Sequence, residues 1–241
     1  MTVEPRISRS VSLDFIGDWG QANFHKILSW LTQEFCDRAG PRSRVRIANV
    51  FGGGIEALYE VSDGQADLCL VTPAKLMPSA LTGGTIFANR AMPDLRALAV
   101  LPQNDSMMFA VSPKFNIRSF EDLKRQKPPL RIALSSDDGG NFIGYVAGRF
   151  MAAHGVTDQL LTSWGGRYVT STRPDTCLAA VRDGDADAVL QEAIMTPWWR
   201  ELLEGGLPVL LGDDLGQLAL GLSLPDVVEH DPARDRQYPG A

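Results

Sequence analysis

Residues 63–70 read Asp-Gly-Gln-Ala-Asp-Leu-Cys-Leu, and residues 183–190 read Asp-Gly-Asp-Ala-Asp-Ala-Val-Leu. In both places a short amphipathic helix leads through an Asp-Gly turn into an apolar strand, and another strand precedes the helix. A helix between two strands is the usual connection in a parallel sheet, so each stretch predicts a strand–helix–strand unit. One unit in each half, starting at 63 and at 183, favours two similar lobes. Coincidence is the alternative, because Asp-Gly turns are common at such junctions.

Outward from these stretches, strand and helix patterns alternate along both halves. In the first half the patterns predict helices at 23–38, 55–62 and 73–81, and strands at 11–16, 44–50, 66–71, 95–101 and 107–112. In the second half they predict helices at 119–125, 141–154, 174–182 and 196–203, and strands at 130–134, 166–170, 186–190 and 207–211. The predicted fold class is α/β, with two lobes that each carry a mainly parallel sheet flanked by helices. We place the lobes at 1–108 and 109–212, with a tail at 213–241 that returns toward the first lobe.

Composition narrows the functional classes. The net charge of -6 and the pI near 5.1 disfavour nucleic acid as a partner, because phosphate binding needs clustered Lys and Arg. No apolar run approaches the ~20 residues that span a bilayer, and residues 1–16 do not resemble a signal peptide. The expected location is the periplasm if a signal was removed, and the cytoplasm if the chain is complete as given.

The cysteines and histidines give no sign of a metal, a cofactor or a nucleophile. Cys36, Cys69 and Cys177 match no metal-ligand spacing and are interpreted as buried free thiols. The three histidines lie far apart in sequence, and common catalytic motifs such as Gly-x-Ser-x-Gly are missing. We therefore predict no cofactor and no metal, and binding is favoured over catalysis.

Ligands of open parallel sheets bind beyond the carboxyl ends of the strands, at helix N-termini. The segments 17–23, 51–54 and 135–141 fit this rule, because glycines let backbone amides approach a ligand and the following helix favours an anion. We expect these turns from both halves to face one another. The candidate ligand-binding residues at these turns and at the end of the third strand are Asp18, Trp19, Gln21, Asn23, Phe51, Gly53, Gly54, Thr72, Ser135, Ser136, Asp138, Gly140 and Asn141. Structural alternatives stay open, since Trp19 can pack in the core and Asp138 can cap the next helix.

An acidic ligand also needs a cationic partner. Arg167 and Arg173 flank a predicted strand of the second half, and Arg90 precedes a strand of the first. An arginine can bind a carboxylate through two parallel hydrogen bonds, although a solvated surface position is the ordinary alternative. Glu192, at the end of a strand, can meet a ligand's amino group or be solvated.

Several segments together resemble the TAXI-type solute-binding proteins of TRAP transporters, which have the type II periplasmic-binding-protein fold. The segments are 15–20 (Phe-Ile-Gly-Asp-Trp-Gly), 64–71, 95–101, 117–124, 131–141 and 183–187, and the resemblance spans roughly residues 11–215. It implies a hinged two-lobed receptor that closes over a small carboxylate, such as glutamate or a dicarboxylate, with TRAP membrane subunits as partners. An oligomer is left open.

Two other functions stay open. One is a cytosolic, decarboxylase-like enzyme of the same fold that acts on an aromatic or carboxylic acid, with Tyr145, His25 and Asp18 as candidate acid–base groups. The other is an interaction protein that keeps the fold without binding a solute strongly.

Overall fold

The computed structural model describes residues 6–17, 23–50, 54–72, 74, 77–101, 107–140, 142–192, 197–204 and 209–210. Two sheets organise this part of the chain, one in each half. The predicted α/β class with parallel-dominated sheets and flanking helices is confirmed.

The sheet of the first half has three parallel strands in the order β2-β1-β3. The strands are β1 (Ser12–Gly17), β2 (Arg44–Asn49) and β3 (Leu68–Cys69). The helices are α1 (Asn23–Arg38), α2 (Gly54–Ser62) and α3 (Met77–Thr82). Because all three strands run in one direction, their carboxyl ends lie at one edge.

The sheet of the second half has five strands in the order β6-β5-β7-β4-β8. They are β4 (Met107–Val111), β5 (Arg131–Ser135), β6 (Arg167–Ser171), β7 (Ala188–Glu192) and β8 (Val209–Leu210). The helices are α4 (Phe120–Gln126), α5 (Phe142–Ala153), α6 (Asp158–Ser163), α7 (Pro174–Arg182) and α8 (Pro197–Glu204). β5, β6 and β7 are parallel, whereas β4 runs antiparallel to β7 and β8.

The second sheet is covered on both faces. Ile132 and Leu134 of β5 join one apolar cluster with Phe150 of α5, and the intervening Ala133 joins another with Leu178 of α7. This alternation follows from the two-residue period of a strand. The helices therefore fix the positions at which the parallel strands end.

The repeated Asp-Gly unit has the same backbone in both halves. Gly64 and Gly184 have φ of 71° and 82°, a region that glycine enters without strain. The amides of Gln65 and Asp185 each donate a 2.8 Å hydrogen bond to a carbonyl of the preceding helix. The two segments are therefore a structural repeat.

Capping residues begin and end helices where the sequence predicts. The amide of Asp122 donates a 3.1 Å hydrogen bond to Ser119 Oγ, which caps α4. Gly155 follows α5 with φ of 73°, as a residue beyond a helix C-terminus often does.

Three predictions differ from the structure. No strand forms at 95–101, because the amide of Leu95 bonds to the nearby carbonyl of Met92 and residues 96–101 have no backbone hydrogen bond to another described residue. The sequence prediction also lacked α6, whose cap is Thr157 Oγ1 accepting from the amide of Leu160. Cys177 is buried and Cys69 half-buried, but Cys36 is exposed, because it lies on the outer side of α1.

Candidate functional site

The carboxyl ends of three parallel strands meet at one edge of the second sheet. β5 ends at Ser135, β6 at Ser171 and β7 at Glu192. The amide of Ser136 donates a 2.9 Å hydrogen bond to the carbonyl of Ser171, which ties the loop after β5 to the end of β6. Open parallel sheets bind ligands at this edge.

A buried polar pair lies within this edge. Gln191 Nε2 donates a 2.8 Å hydrogen bond to Ser135 Oγ, and both side chains are fully buried. Burial raises the pKa of the adjacent Cys177 thiol to about 11. The Ser135 hydroxyl thus joins β5 to β7, which is a structural role, and a ligand contact of this residue stays a prediction. The sequence analysis missed Gln191, although a polar residue in the apolar stretch 188–190 is a visible signal.

The loop between β5 and α5 is held by its own aspartate. Asp138 Oδ1 accepts a 3.0 Å hydrogen bond from the amide of Gly140, and Gly139 has φ of 80°. Asp138 therefore stabilises the turn, which is the structural alternative to a ligand contact. Burial, and next the charge of Asp138, raise the pKa of Asp137, while Arg149 opposes them.

The same loop packs directly on the first turns of α5. A Cβ at Gly144 would overlap the carbonyl oxygen of Ser136. At Gly148, one turn further along α5, a Cβ would meet nothing within 4 Å. Close approach of loop and helix therefore requires glycine at 144 but not at 148.

The corresponding edge of the first sheet brings four elements together. Gly17 ends β1, and Asn49 ends β2, with its Oδ1 3.1 Å from His25 Nδ1 on α1. A Cβ at Gly54, the first residue of α2, would lie 3.4 Å from Val71 Cγ2, and Thr72 follows Val71. Gly54 and Thr72 thus lie at the same edge, as the sequence analysis expects. Asn49 was missed, because an asparagine at the end of a strand is also an ordinary turn residue.

Apolar side chains join the two halves. Ile55 and Leu58 of α2 share one buried cluster with Phe142, Ile143 and Val146 of α5. The first turns of both helices therefore lie close together, as the facing glycine turns require. These apolar side chains fill the space directly between the two helices.

A pocket of about 300 Å³ lies at the margin of this contact between α2 and α5. Its lining residues come from α2, from the turn at 85–88, from the loop after β5 and from α5, and they are Ile55, Tyr59, Thr85, Ile86, Ala88, Asp137, Gly139, Tyr145 and Arg149. The wall is largely apolar and aromatic, with one cationic and one anionic side chain. Such a wall can hold a small molecule and orient its charged groups.

Arg149 supplies the positive charge of this pocket. Its Cζ lies 5.3 Å from the centre of the Tyr145 ring, within the range of a cation–π contact. Among the described residues no carboxylate forms an ion pair with Arg149. The sequence analysis missed it, although it is the one charged residue in the apolar helix at 142–153.

The arginines that the sequence favoured have other positions. Arg167 is the first residue of β6. It therefore lies at the amino-terminal ends of the parallel strands, opposite the edge formed by their carboxyl ends. Arg173 is engaged with Asp175 through bonds of 3.0 and 2.9 Å. Arg90 pairs with Asp63 and lies 5.0 Å from the ring centre of Tyr59. Spacing in sequence does not reveal which carboxylate an arginine reaches, and ligand contacts of these arginines stay predictions.

Glu192 is at the expected edge, at the end of β7, and its carbonyl oxygen accepts a 2.9 Å hydrogen bond from Trp199 Nε1. Other candidates lie outside the described residues: Asp18, Trp19, Gln21, Phe51, Gly53 and Asn141. Asn23 begins α1, but its side chain is likewise outside the description. Their ligand roles stay predictions.

The described residues also bear on metal binding and on membrane insertion. No group of three or more His, Cys, Asp or Glu side chains converges there in a way that could hold a metal ion. None of the helices described is long and apolar enough to cross a membrane.

No family model and no curated protein matches the chain. Solved structures do match it, among them a periplasmic transporter at 15% identity and a TM-score of 0.51, over 84% of this chain and 65% of that one. The aliphatic sulphonate binding protein SsuA of Escherichia coli matches at 19% identity and a TM-score of 0.51, over 86% and 58%. The AvGluR1 ligand binding domain in complex with alanine matches at 13% identity and a TM-score of 0.52, over 87% and 80%.

The chain thus spans less than two thirds of the length of the first two proteins, at 65% and 58%. Likeness at this level of identity concerns the fold. The chain therefore has an α/β fold with parallel-dominated sheets flanked by helices, similar to the fold of these structures.

Proposed function

We propose that this protein is a solute-binding protein that holds a small acidic solute between its two halves, in the pocket beside α2 and α5. The observation that carries the proposal is Arg149, an exposed cation that lines a pocket of about 300 Å³ next to the contact between the two helix N-terminal turns. The fold shared with periplasmic binding proteins supports the same conclusion.

The pocket favours a ligand that carries both charges. A ligand carboxylate would pair with Arg149, and a ligand ammonium would meet Asp137 on the facing loop. Arg149 belongs to α5 and Asp137 to the loop after β5. An amino acid would therefore contact both elements through charged groups, whereas a simple acid would pair only with Arg149. Glutamate is thus preferred over glutarate in this proposal, and other dicarboxylates come next.

The wider setting rests on the resemblance to TAXI-type proteins. It supports TRAP membrane subunits as partners and the periplasm as the place of binding. The sequence of residues 15–20 and 64–71 supports this proposal about partners and location, which does not depend on which acid is bound.

Binding of glutamate, glutarate, succinate and benzoate, measured by calorimetry and thermal shift, tests the proposal. A ligand at 100 times its dissociation constant stabilises the folded state by about 2.7 kcal/mol. Arg149→Gln should weaken glutamate binding at least about tenfold, the usual effect of losing a charged hydrogen bond. Arg182→Gln is the matched control, because Arg182 pairs with its neighbour Asp183 on the surface.

Equal affinity of wild type and Arg149→Gln would place the solute elsewhere. If none of the acids binds, the solute-binding proposal fails, and an interaction protein that keeps the fold becomes the favoured function. Mass spectrometry of the same mixtures distinguishes the enzymatic alternative, because a receptor returns each acid unchanged.

A further inference from the structure

An aromatic stack joins α4 to the C-terminal end of α5. The ring of Phe120, the first residue of α4, is stacked on His154 with the ring centres 4.0 Å apart, and on Phe109 of β4 at 5.4 Å. Phe150 of α5 contacts Phe120 at 5.8 Å and His154 at 4.7 Å. Because His154 directly follows α5, the packing of α4 on the end of this helix depends on the histidine ring.

The His154 ring is a titratable group in apolar surroundings. Its Nε2 atom is buried and has no hydrogen-bond partner among the residues that the structure describes, and Phe120 and Phe150 are both buried. A neutral imidazole carries a proton on one nitrogen only, so Nε2 can stay unprotonated, whereas an imidazolium carries a proton on both nitrogens. A buried N–H group without an acceptor is costly, above all in a charged ring. The stack therefore fits the neutral form of His154.

The charged groups around His154 do not reverse this preference. On α4, Lys124 opposes a positive charge on the ring and Glu121 favours it, and these two side chains pair with each other at 3.7 Å. β4 carries no charged residue, and Arg149, the charged residue of α5, lines the pocket instead. The ring of Phe120 and the C-terminal end of α5 would both favour a cation. Burial is nevertheless the largest effect and lowers the pKa of His154.

We propose that His154 makes the packing of α4 on α5 sensitive to pH. At neutral pH the uncharged ring stays against Phe120 and Phe150, and α4 is held on the end of α5. Below about pH 6, where a free histidine is mostly charged, the protonated ring leaves the stack for water and α4 loosens. The proposal is independent of the solute.

The direction of the pH effect follows from the two forms of α4. When α4 opens, the ring is exposed and its pKa returns to the ordinary value of about 6.5. Because the pKa of His154 is lower in the closed form, the open form takes up a proton first as the pH falls. The contact therefore has its full stability above about pH 7 and loses stability as the pH falls through about 6.5.

Proton NMR of the full-length chain tests the state of the ring. The chain has three histidines, so spectra of His25→Gln and His230→Gln assign the remaining ring signal to His154. This signal should titrate with a midpoint below about 6.5, the ordinary value for histidine. A midpoint at or above that value would overturn the proposal, because the stack would then not disfavour the charged ring.

Hydrogen exchange of α4 tests the structural consequence. From about pH 7.5 to about pH 5.5, the protection factors of amides 123–127, corrected for the intrinsic exchange rate, should fall several-fold and at most about tenfold, the extent to which an exposed histidine is protonated at the lower pH. His154→Phe keeps an aromatic ring but has no titrating group, so it should abolish this fall. His25→Gln is the matched control and should keep it, because His25 lies on α1, where its Nδ1 is 3.1 Å from Asn49 Oδ1.

Two results of the exchange experiment would overturn the proposal. One is constant protection of α4 in the wild type, and the other is an equal fall in the wild type and in His154→Phe, which would assign the opening to other acidic or basic groups. If His154→Phe does not fold, the NMR midpoint of the wild type still decides, because it needs no substitution at residue 154.

Discussion

The two Asp-Gly repeats share a backbone but differ in what their second aspartate binds. In the first half, Asp67 Oδ2 accepts a 2.8 Å hydrogen bond from the amide of Asp14. In the second half, Asp187 accepts from the amide of Arg131 at 3.2 Å, from the guanidinium of Arg131 at 2.9 and 3.2 Å, and from Lys114 Nζ at 2.7 Å.

Position in the sheet explains this difference. Asp67 is exposed, and its neighbour Asp14 pairs across the sheet with Arg46 instead. The Asp187 side chain is 6% exposed, next to the Arg131 that begins β5. The turn therefore determines the backbone of the unit, and the adjacent strand determines whether the unit is a surface turn or a buried charge cluster.

Removing the second aspartate of each unit should give the largest difference between the halves. Asp187→Ala should lower the free energy of unfolding by about 2 kcal/mol, because the backbone amide and guanidinium of Arg131 would lose a charged acceptor. Asp67→Ala should cost about 1 kcal/mol, the net value of one hydrogen bond. Urea denaturation of both variants measures the difference, and similar losses would mean that the extra bonds of Asp187 contribute nothing.

Low pH should remove the stabilisation that the ionised Asp187 gives to the second Asp-Gly unit. Burial alone would raise the pKa of Asp187, but the bonds from Arg131 and Lys114 hold that pKa well below its usual range. A carboxyl whose folded pKa is lowered stabilises the protein above the unfolded-state value of about 3.9 and loses this effect as pH falls further. The difference in unfolding free energy between wild type and Asp187→Asn should therefore stay constant from about pH 5 to 7 and shrink below about pH 4. A difference that does not change down to pH 3 would assign the cost to lost packing.

The smallest expected effect is a loss of stability that is equal in the two Asp-Gly units. Gly64→Ala and Gly184→Ala should each cost about 1 kcal/mol, because both glycines have a left-handed φ and a new Cβ would meet nothing within 4 Å. Thermal denaturation of the two variants provides the measurement. Clearly unequal costs would show that the two turns differ in more than their side chains.

Most of the fold could be predicted from local signals. The Asp-Gly repeat, the cap at Ser119 and the glycine after α5 each reflect backbone physics that operates within a few residues. The strand predicted at 95–101 does not form, because an apolar sequence pattern does not show whether a partner strand is present to pair with it. The short helix α6 was missed because its apolar residues, Leu160 and Leu161, are adjacent and give no helical period.

The candidate site was predictable as an edge but not as a set of side chains. Gly54 and Thr72 follow from the rule that ligands bind beyond parallel strands. Ser135 and Arg173 meet internal partners, Gln191 and Asp175, that only three-dimensional proximity reveals. Arg149 is the converse case, because a lone arginine in an apolar helix has the same sequence pattern whether it faces solvent or a pocket.

The contact between Gly144 and the Ser136 carbonyl has a kinetic consequence. With no side chain between them, the backbone of the loop after β5 packs directly against helix α5. The backbone amides of this loop would then be oriented before a solute binds, so that binding would not require the loop to become ordered. Rapid-mixing traces of solute binding should therefore lack a slow phase from loop ordering.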